Sequence, residues 1–475
     1  MEQQQQQLVI AKFGGSALGA DGAKIPVIIE RIKELRKNSK IICVFSAPLT
    51  NYEGKNLSMT DVAIRISKKY ATSIPVDIDI LKNVYLGISK KYLSGENQKK
   101  FESELDRFNR TVLISLKQVA ENRRFVDVSR SRILAYSGEI VISSLMNYIL
   151  RTNNIKSSSV NIEEWPIITD DNFEAANFML DESKRKLNSL VKLINENDVV
   201  CIGGFIGKTV DGLETTYERG GSDRSAADLG ILLSSKFKVN LDFEKDNSVL
   251  SADPKVVSKN LHNVKILSYN EAKLAGMFGM KILDPIAIKD IDDHDLDLLI
   301  LVTNISNPES YTQIVKQVSE DENEIEPKIK IVTGKKNCAI VRMESIAASH
   351  IAALFEKQRQ YHDFIKLSPY KKDNLEMTRF LFLDGDYVRR HEKIFRSFYP
   401  KVEMVYGRGV VTLIGDSMWK IPKIVSETSS IVSQQDINIL NIDAQEETSR
   451  ILILVEDNNV EEVIRSIHSK GTIIN

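Results

Sequence analysis

Strand-like apolar runs that end in glycine turns and lead into helical patterns recur along this chain. No other feature restricts its fold as much. Leu8-Val9-Ile10-Ala11 runs into Lys12-Phe13-Gly14-Gly15-Ser16. Ile25, Ile28, Ile29, Ile32 and Leu35 then follow at helical spacing, after which residues 40–45 read as a buried strand. This is a βαβ unit. A second apolar strand, 198–202, enters Gly203-Gly204-Phe205-Ile206-Gly207. Further on, Arg219-Gly220-Gly221-Ser222-Asp223 precedes a helix-like run over 222–233. In a doubly wound sheet the carboxyl ends of the strands converge on one edge, where ligands bind. Glycine pairs let backbone approach a ligand closely, Ser222 is expected to cap its helix, and a helix start favours an anion. Lys12 would add an ammonium. The loop is not a Walker sequence, because the G-x-x-x-x-G-K-[ST] spacing is absent. Several phosphate-compatible backbones on one chain point to a nucleotide.

Five motifs, in order, carry a family resemblance. Lys12-Phe13-Gly14-Gly15-Ser16, Ser137-Gly138-Glu139, Ile168-Thr169-Asp170-Asp171-Asn172-Phe173, Gly204-Phe205-Ile206-Gly207 and Arg219-Gly220-Gly221-Ser222-Asp223 make the chain resemble the aspartate kinases of the amino-acid kinase superfamily. The resemblance implies an α/β catalytic domain, a mainly parallel sheet flanked by helices, followed by α+β ferredoxin-like ACT domains. It implies transfer of the ATP γ-phosphate, with Mg²⁺, to the side-chain carboxylate of L-aspartate. The product would be 4-phospho-L-aspartate, the first step of lysine, threonine and methionine biosynthesis.

By the same resemblance Lys12 neutralises the γ-phosphate, and Phe13, Gly14, Gly15, Ser16 and Gly204 belong to the nucleotide loops. Asp223 orients the lysines at the transfer site. Arg219 forks onto the substrate carboxylate and Glu139 holds the substrate ammonium, with Thr50, Phe173 and Ser222 completing the substrate site. Lys255, Lys281 and Ile282 are expected on the nucleotide side. A carboxylate acceptor, with a reference pKa of about 3.9, is already ionised at neutral pH and needs no general base, so no catalytic histidine is expected.

Several positions depart from the family pattern. Glu174 stands where the family carries glycine, and the loop of Thr50 reads as shortened. Leu241-Asp242-Phe243-Glu244 replaces Trp-Thr-Asp, leaving either Asp242 or Glu244 in the acidic place. Leu250 replaces a tyrosine, Lys255 an arginine, and Asp284 a histidine. These changes leave two alternatives open: a relative with another acceptor, and a non-catalytic amino-acid-sensing subunit with ACT domains.

A length of 475 residues suggests two or three domains. The acidic, proline-ended stretch 319–327 reads as a linker between a catalytic domain at 1–318 and a tail at 328–475. In the tail, 337–343 (strand), 349–361 (helix), 363–367 and 377–383 (strands) and 387–398 (helix) give β-α-β-β-α order. Residues 410–414, 421–434, 437–443, 450–455 and 460–470 repeat it, as a tandem repeat of about 70 residues per copy. The resemblance makes these ACT regulatory domains that bind lysine or threonine and join subunits in a homodimer or higher homo-oligomer. The second copy, with Gly415-Asp416-Ser417-Met418, is the better effector candidate.

The 64 basic and 65 acidic residues nearly cancel, which argues against a nucleic-acid surface. Cys43, Cys201 and Cys338 read as buried thiols in a reducing compartment. No run of 18 apolar residues appears, and the Gln3 to Gln7 tract reads as a leader and not a signal peptide. A cytoplasmic protein with no membrane partner is expected. Ending at Asn475, it is expected to carry no fused dehydrogenase.

Overall fold

Apolar strands alternating with one-sided helices build a parallel sheet in the first part of the chain. The computed structural model describes residues 6–218, 220–280, 282–319, 328–357 and 364–470. Most of the expected linker and of the glutamine leader lie outside the described residues. Two compact units form: Met1–Ser248 with Ile286–Lys316, and Val249–Pro285 with Gln317–Asn475.

In the first unit, β1 (Gln7–Phe13), β2 (Lys40–Phe45), β3 (Ser157–Ser159), β4 (Val199–Gly203), β5 (Lys238–Lys245), β6 (Leu299–Asn304) and β7 (Tyr311–Val315) lie in the order β7-β6-β5-β1-β2-β4-β3. All neighbours are parallel except the antiparallel pair β6 and β7. Every residue of β4, and every residue of β2 after Lys40, is buried. Strands covered on both faces read as continuous apolar runs for that reason.

Helix α1 (Ile25–Leu35) starts with Pro26 in its first turn and buries Ile25, Ile28, Ile29 and Ile32. Residues 59–122 form the helices Met59–Ala71, Ile80–Tyr92 and Gly95–Asn122. Helices α2 (Asp127–Ser137) and α3 (Glu139–Thr152) meet at Gly138, and α3 is buried from Glu139 to Leu150. The stretch Asp127–Thr152 is long and apolar enough to cross a membrane, but 94% of its most apolar window is buried inside the fold. A helix apolar on all sides is at home in a core. Helix α4 (Ser222–Leu233) packs on β1 and β5.

A buried charge cluster fastens α1 to the sheet. Arg31 of α1 places Nε 2.6 Å from Glu244 Oε1 and Nη2 3.0 Å from Asp242 Oδ2, and Thr303 of β6 donates to Asp242 Oδ1 at 2.7 Å. Burial and the adjacent Asp242 carboxylate push Glu244 up to about 8, against the pull of Arg31. The sequence offered Asp242 or Glu244 to a nucleotide. In the fold both are committed to Arg31.

In the second unit, β8 (Ile331–Glu344), β9 (Phe364–Lys372), β10 (Leu375–Phe382), β11 (Glu403–Ile414), β12 (Asn441–Ala444) and β13 (Arg450–Glu456) form one antiparallel sheet, ordered β9-β10-β8-β11-β13-β12. Helices α5 (Ser345–Lys357), α6 (Gly385–Arg390), α7 (Glu392–Phe398), α8 (Ile424–Ser433) and α9 (Val460–Ser469) complete it. The expected helix over 387–398 is broken at His391 into α6 and α7.

Two cores divide this sheet. Val341, Met343, Ile351, Phe380, Phe382 and Phe395 fill the first copy. Ile329, Val332, Val411, Ile431, Ile453 and Val463 fill the second. The register of β8 on β11 shifts between Lys335 and Ile340. Thus the first half of β8 belongs to the second copy and its other half to the first. The copies are not laid end to end, as their order in the sequence suggests. The strand that precedes the first copy completes the second.

Residues 249–285, which the sequence reading placed in the first domain, pack with this tail. Ala252 and Val257 join the second-copy core, and Leu274, Met277 and Phe278 cover the opposite sheet face over Cys338, Ile340 and Leu452. All three cysteines are buried and free.

Removing one member of a buried ion cluster leaves charge without compensation. Arg31→Leu is expected to lower the unfolding free energy by about 3–5 kcal/mol, read from denaturant melts at pH 7. An unchanged midpoint would mean that Arg31 does not compensate the two carboxylates.

Candidate functional site

The end of β1 and the start of α4 bring opposite charges together. Lys12 Nζ lies 2.7 Å from Asp223 Oδ1, with both side chains only 12% and 11% exposed. Around them opens a cleft of about 550 Å³ within the first unit. Its lining includes Lys12, Gly15, Ser16, Ser46, Thr60, Arg130, Glu139, Gly220, Gly221, Ser222 and Asp223.

Close backbone approach makes this assembly possible. A Cβ on Gly204 would stand 2.7 Å from Cβ of Ser222, and Gly220 has φ +98, a conformation that disfavours side chains. Ser222 does not cap α4: Gly221 occupies the cap position without a side-chain bond, and Ser222 is the first helical residue. The glycine pair ahead of it makes the turn, which leaves its hydroxyl to line the cleft instead.

Glu139 begins α3 just past Gly138 and is 3% exposed. Its Oε1 accepts from the Ala47 N–H at 3.3 Å and from the Thr60 hydroxyl at 3.2 Å. Its Oε2 is buried with no partner among the described residues. Burial pushes this carboxyl up to about 7, against the Ala47 N–H, its own N–H, Thr60 and Lys12. A buried acceptor oxygen without a donor, on a residue that lines the cleft, suits a cationic guest.

Arg130 of α2 enters the same cleft. Its Nη1 donates to Thr216 Oγ1 at 2.8 Å, and its Nε lies 3.5 Å from Glu174 Oε2. Phe173 takes part through its main chain, its carbonyl accepting from the Ser131 hydroxyl, the Thr216 N–H and the Thr216 hydroxyl. The Glu174 carboxylate, at the place of the family glycine, faces a cation.

The other expected residues divide. Phe13 is a core residue stacked on Phe45 at 5.5 Å, and Gly14 closes the turn before the short helix Gly15–Leu18. Thr50 is buried in the hairpin of strands Leu49–Tyr52 and Lys55–Ser58 and is not among the residues lining the cleft. Thr60 lines it instead. Lys255 and Ile282 belong to the second unit, where the Lys255 N–H bonds Asp253 and Ile282 is buried. Arg219 and Lys281 lie outside the described residues.

Sequence reasoning missed Thr60, Arg130 and Lys245. Lys245 stands two residues beyond Phe243, which pairs with Lys12 across β1 and β5, so alternation points both lysines to one face of the sheet. Burial pulls its pKa down, Asp223 raises it and Lys12 lowers it. The signal available for Thr60 was Ser58-Met59-Thr60-Asp61, a capped helix start following the hairpin.

The arrangement suits anion and ammonium binding side by side. Lys12 and glycine backbone N–H groups can neutralise phosphate oxygens, and Glu139 can hold an ammonium. Among the described residues lining the cleft there is no histidine.

Comparison with known proteins places this geometry. The model of the amino acid kinase family matches residues 7–301. A bifunctional aspartokinase/homoserine dehydrogenase of Buchnera aphidicola is 23% identical over 97% of this chain and 56% of its own length, so the chain spans little more than half of that relative. E. coli aspartokinase III in complex with aspartate and ADP superposes with a TM-score of 0.79 at 18% identity, covering 97% of this chain and 99% of that one. The same enzyme in complex with lysine and aspartate gives 0.67 at 19% identity, covering 98% and 99%. At these identities the two structures establish the fold.

Glu139 carries a stability signature. Its pKa rises from 4.5 unfolded to about 7 folded, so wild-type stability falls as pH climbs through that window and stays reduced above it. Glu139→Gln, which keeps the acceptor for Ala47 and Thr60, is therefore expected to raise Tm at pH 8, by a free energy on the order of 3 kcal/mol at most. The gain should close towards pH 5 in thermal melts. A pH-independent difference would mean that Glu139 is not held desolvated.

Proposed function

The chain belongs to the amino acid kinase family, and from that premise we propose that it is an aspartate kinase, transferring the γ-phosphate of ATP to the side-chain carboxylate of L-aspartate. The product is 4-phospho-L-aspartate, which would open the route to lysine, threonine and methionine. One observation carries the reading: a phosphate-compatible Lys12–Asp223 pair shares a cleft with Glu139, whose buried Oε2 awaits a cation. The names of the similar proteins support it, since one of those structures holds aspartate and ADP.

The chemistry asks little covalent work of side chains. Phosphate oxygens would meet Lys12 Nζ and the N–H groups of the Gly15 and Gly220 turns, the Gly221 N–H being held by the Glu218 carbonyl, while Asp223 fixes the position of Lys12. Glu139 takes the substrate ammonium. The ionised acceptor oxygen forms its bond to phosphorus as the bond to the ADP oxygen breaks, and no proton has to move. Mg²⁺, when bound, would add charge neutralisation to that of Lys12.

For the tail we propose an amino-acid effector, lysine or threonine, and a homo-oligomer. A pocket of about 650 Å³ in the second copy supports this, lined by Trp419, Lys423, Ser426, Gln445 and Arg450 beside the start of α8. E. coli aspartokinase III in its lysine complex is a precedent for an effector of this class.

The deciding experiment incubates the protein with ATP, Mg²⁺ and aspartate and traps acyl phosphate with hydroxylamine. Aspartate-dependent hydroxamate is expected, and its absence would end the reading. Lys12→Ala should lower kcat by about 10²–10³-fold. Because ammonium binding needs ionised Glu139, kcat/KM for aspartate should rise with pH through about 7. A flat profile in that window would remove Glu139 from substrate binding.

A further inference from the structure

Arg130 and Glu174 form a pair that neither the phosphate chemistry nor the ammonium site uses. The Arg130 side chain is 16% exposed and lines the cleft, whereas Glu174, on the far side of the contact, is 46% exposed. At 3.5 Å their contact is longer than the 2.7–2.9 Å of a charge-assisted hydrogen bond. So loose and exposed a pair contributes little and is readily exchanged. Burial pulls the Arg130 pKa down and Glu174 only partly opposes it, so the cation is under-compensated as it stands. Its surroundings are fixed. Thr216 holds Nη1, and Ser131 and Thr216 clamp the Phe173 carbonyl, which keeps Glu174 within reach.

The substrate supplies what this pair lacks. An amino acid carries its ammonium and α-carboxylate on one carbon, so a site that recognises both must present an anion and a cation side by side. Arg130 on α2 and Glu139 on α3, on either side of the Gly138 turn, line the same cleft.

We propose that Arg130 is a second substrate-binding cation, which shares the α-carboxylate of the acceptor amino acid with Arg219, the residue that the family resemblance assigns to the substrate carboxylate, and that Glu174 is the internal carboxylate this substrate displaces. The inference rests on the aspartate kinase reading for the identity of the acceptor. It gives Glu174, the residue standing at a family glycine, a function: it occupies Arg130 in the empty cleft and so sets how much aspartate is needed to fill it. The guanidinium fork can then bind the incoming carboxylate through two N–H groups.

The test measures aspartate binding by calorimetry and aspartate KM in the hydroxamate assay, on the full chain. Arg130→Gln is expected to raise Kd and KM for aspartate at least about tenfold, with a much smaller change in kcat, and Arg130→Lys should restore only part of the loss. Glu174→Gln, which removes the competitor, is expected to lower both constants a few-fold. A packing defect would not give opposite signs at the two positions. An Arg130→Gln protein that binds aspartate as well as the wild type, or a Glu174→Gln protein that binds it less well, overturns the proposal. Arg130-dependent binding without hydroxamate would sustain the site and overturn the kinase reading. Hydroxamate formation indifferent to Arg130 would do the reverse, and a wild type that binds no aspartate overturns both.

Discussion

The ion pair between Lys12 and Asp223 is the contact on which the arrangement of the site depends. It joins the carboxyl end of β1 to the first turn of α4, two elements made adjacent by a parallel sheet whose strands deliver their carboxyl ends to one edge. Ion pairs at this degree of burial hold position more than they add stability. Lys245 at the end of β5 shares the electrostatics of the pair, with burial lowering its pKa, Asp223 raising it and Lys12 lowering it. That leaves a concentrated positive charge where phosphate oxygens would arrive.

Buried charge occurs here in two kinds, and the distinction separates scaffold from site. Arg31 with Asp242 and Glu244 is a closed cluster, its guanidinium bonded to both carboxylates. Lys330 and Glu271, 2% and 0% exposed, are likewise paired at 2.9 Å. Glu139 is of the other kind. Glu139 Oε2 and Glu244 Oε2 are both buried without a hydrogen-bond partner among the described residues, but Glu244 has a guanidinium on its other oxygen, whereas the other oxygen of Glu139 is held only by the neutral Ala47 N–H and Thr60 hydroxyl, on a residue that lines the cleft. A fold that leaves such an oxygen unmatched gives up stability there, which is reasonable only where a ligand restores it.

Local pattern made β1, α1, β2, β4, α4 and most tail elements legible, because strands buried on both faces and helices with one apolar stripe advertise themselves. Pairing across the sequence did not. The two halves of β8 serve different cores: the polar stretch Gly334-Lys335-Lys336-Asn337 marks where its register changes, but not which core each half joins. Thr60 stayed hidden behind a hairpin that lengthens the loop after β2 and buries Thr50, the threonine nearer in sequence. Arg130 reads as one more polar residue on a helix, and its partner Glu174 lies far along the chain. That Lys12, Glu139 and Asp223 would share one cleft was legible only because each sits in a motif of fixed local geometry.

The same limit applies to the segment with the greatest departures from the family pattern. Ala252 and Val257 pack into the core that contains Ile431 and Val463. Ser251 bonds His468 of α9 through its hydroxyl at 2.9 Å, and its carbonyl accepts from the Val332 N–H at 2.9 Å. A few residues on, Glu271 both closes the capping box of the helix Tyr269–Met277 and accepts from the Asp416 N–H. Lys255 therefore rests on a backbone whose position is set by the second copy of the tail. Packed cores transmit strain and do not deform smoothly. A change in the packing of α8 or α9 must thus be accommodated by the segment that carries Lys255. The sequence divergence there is what packing against the tail, and not a nucleotide alone, would select.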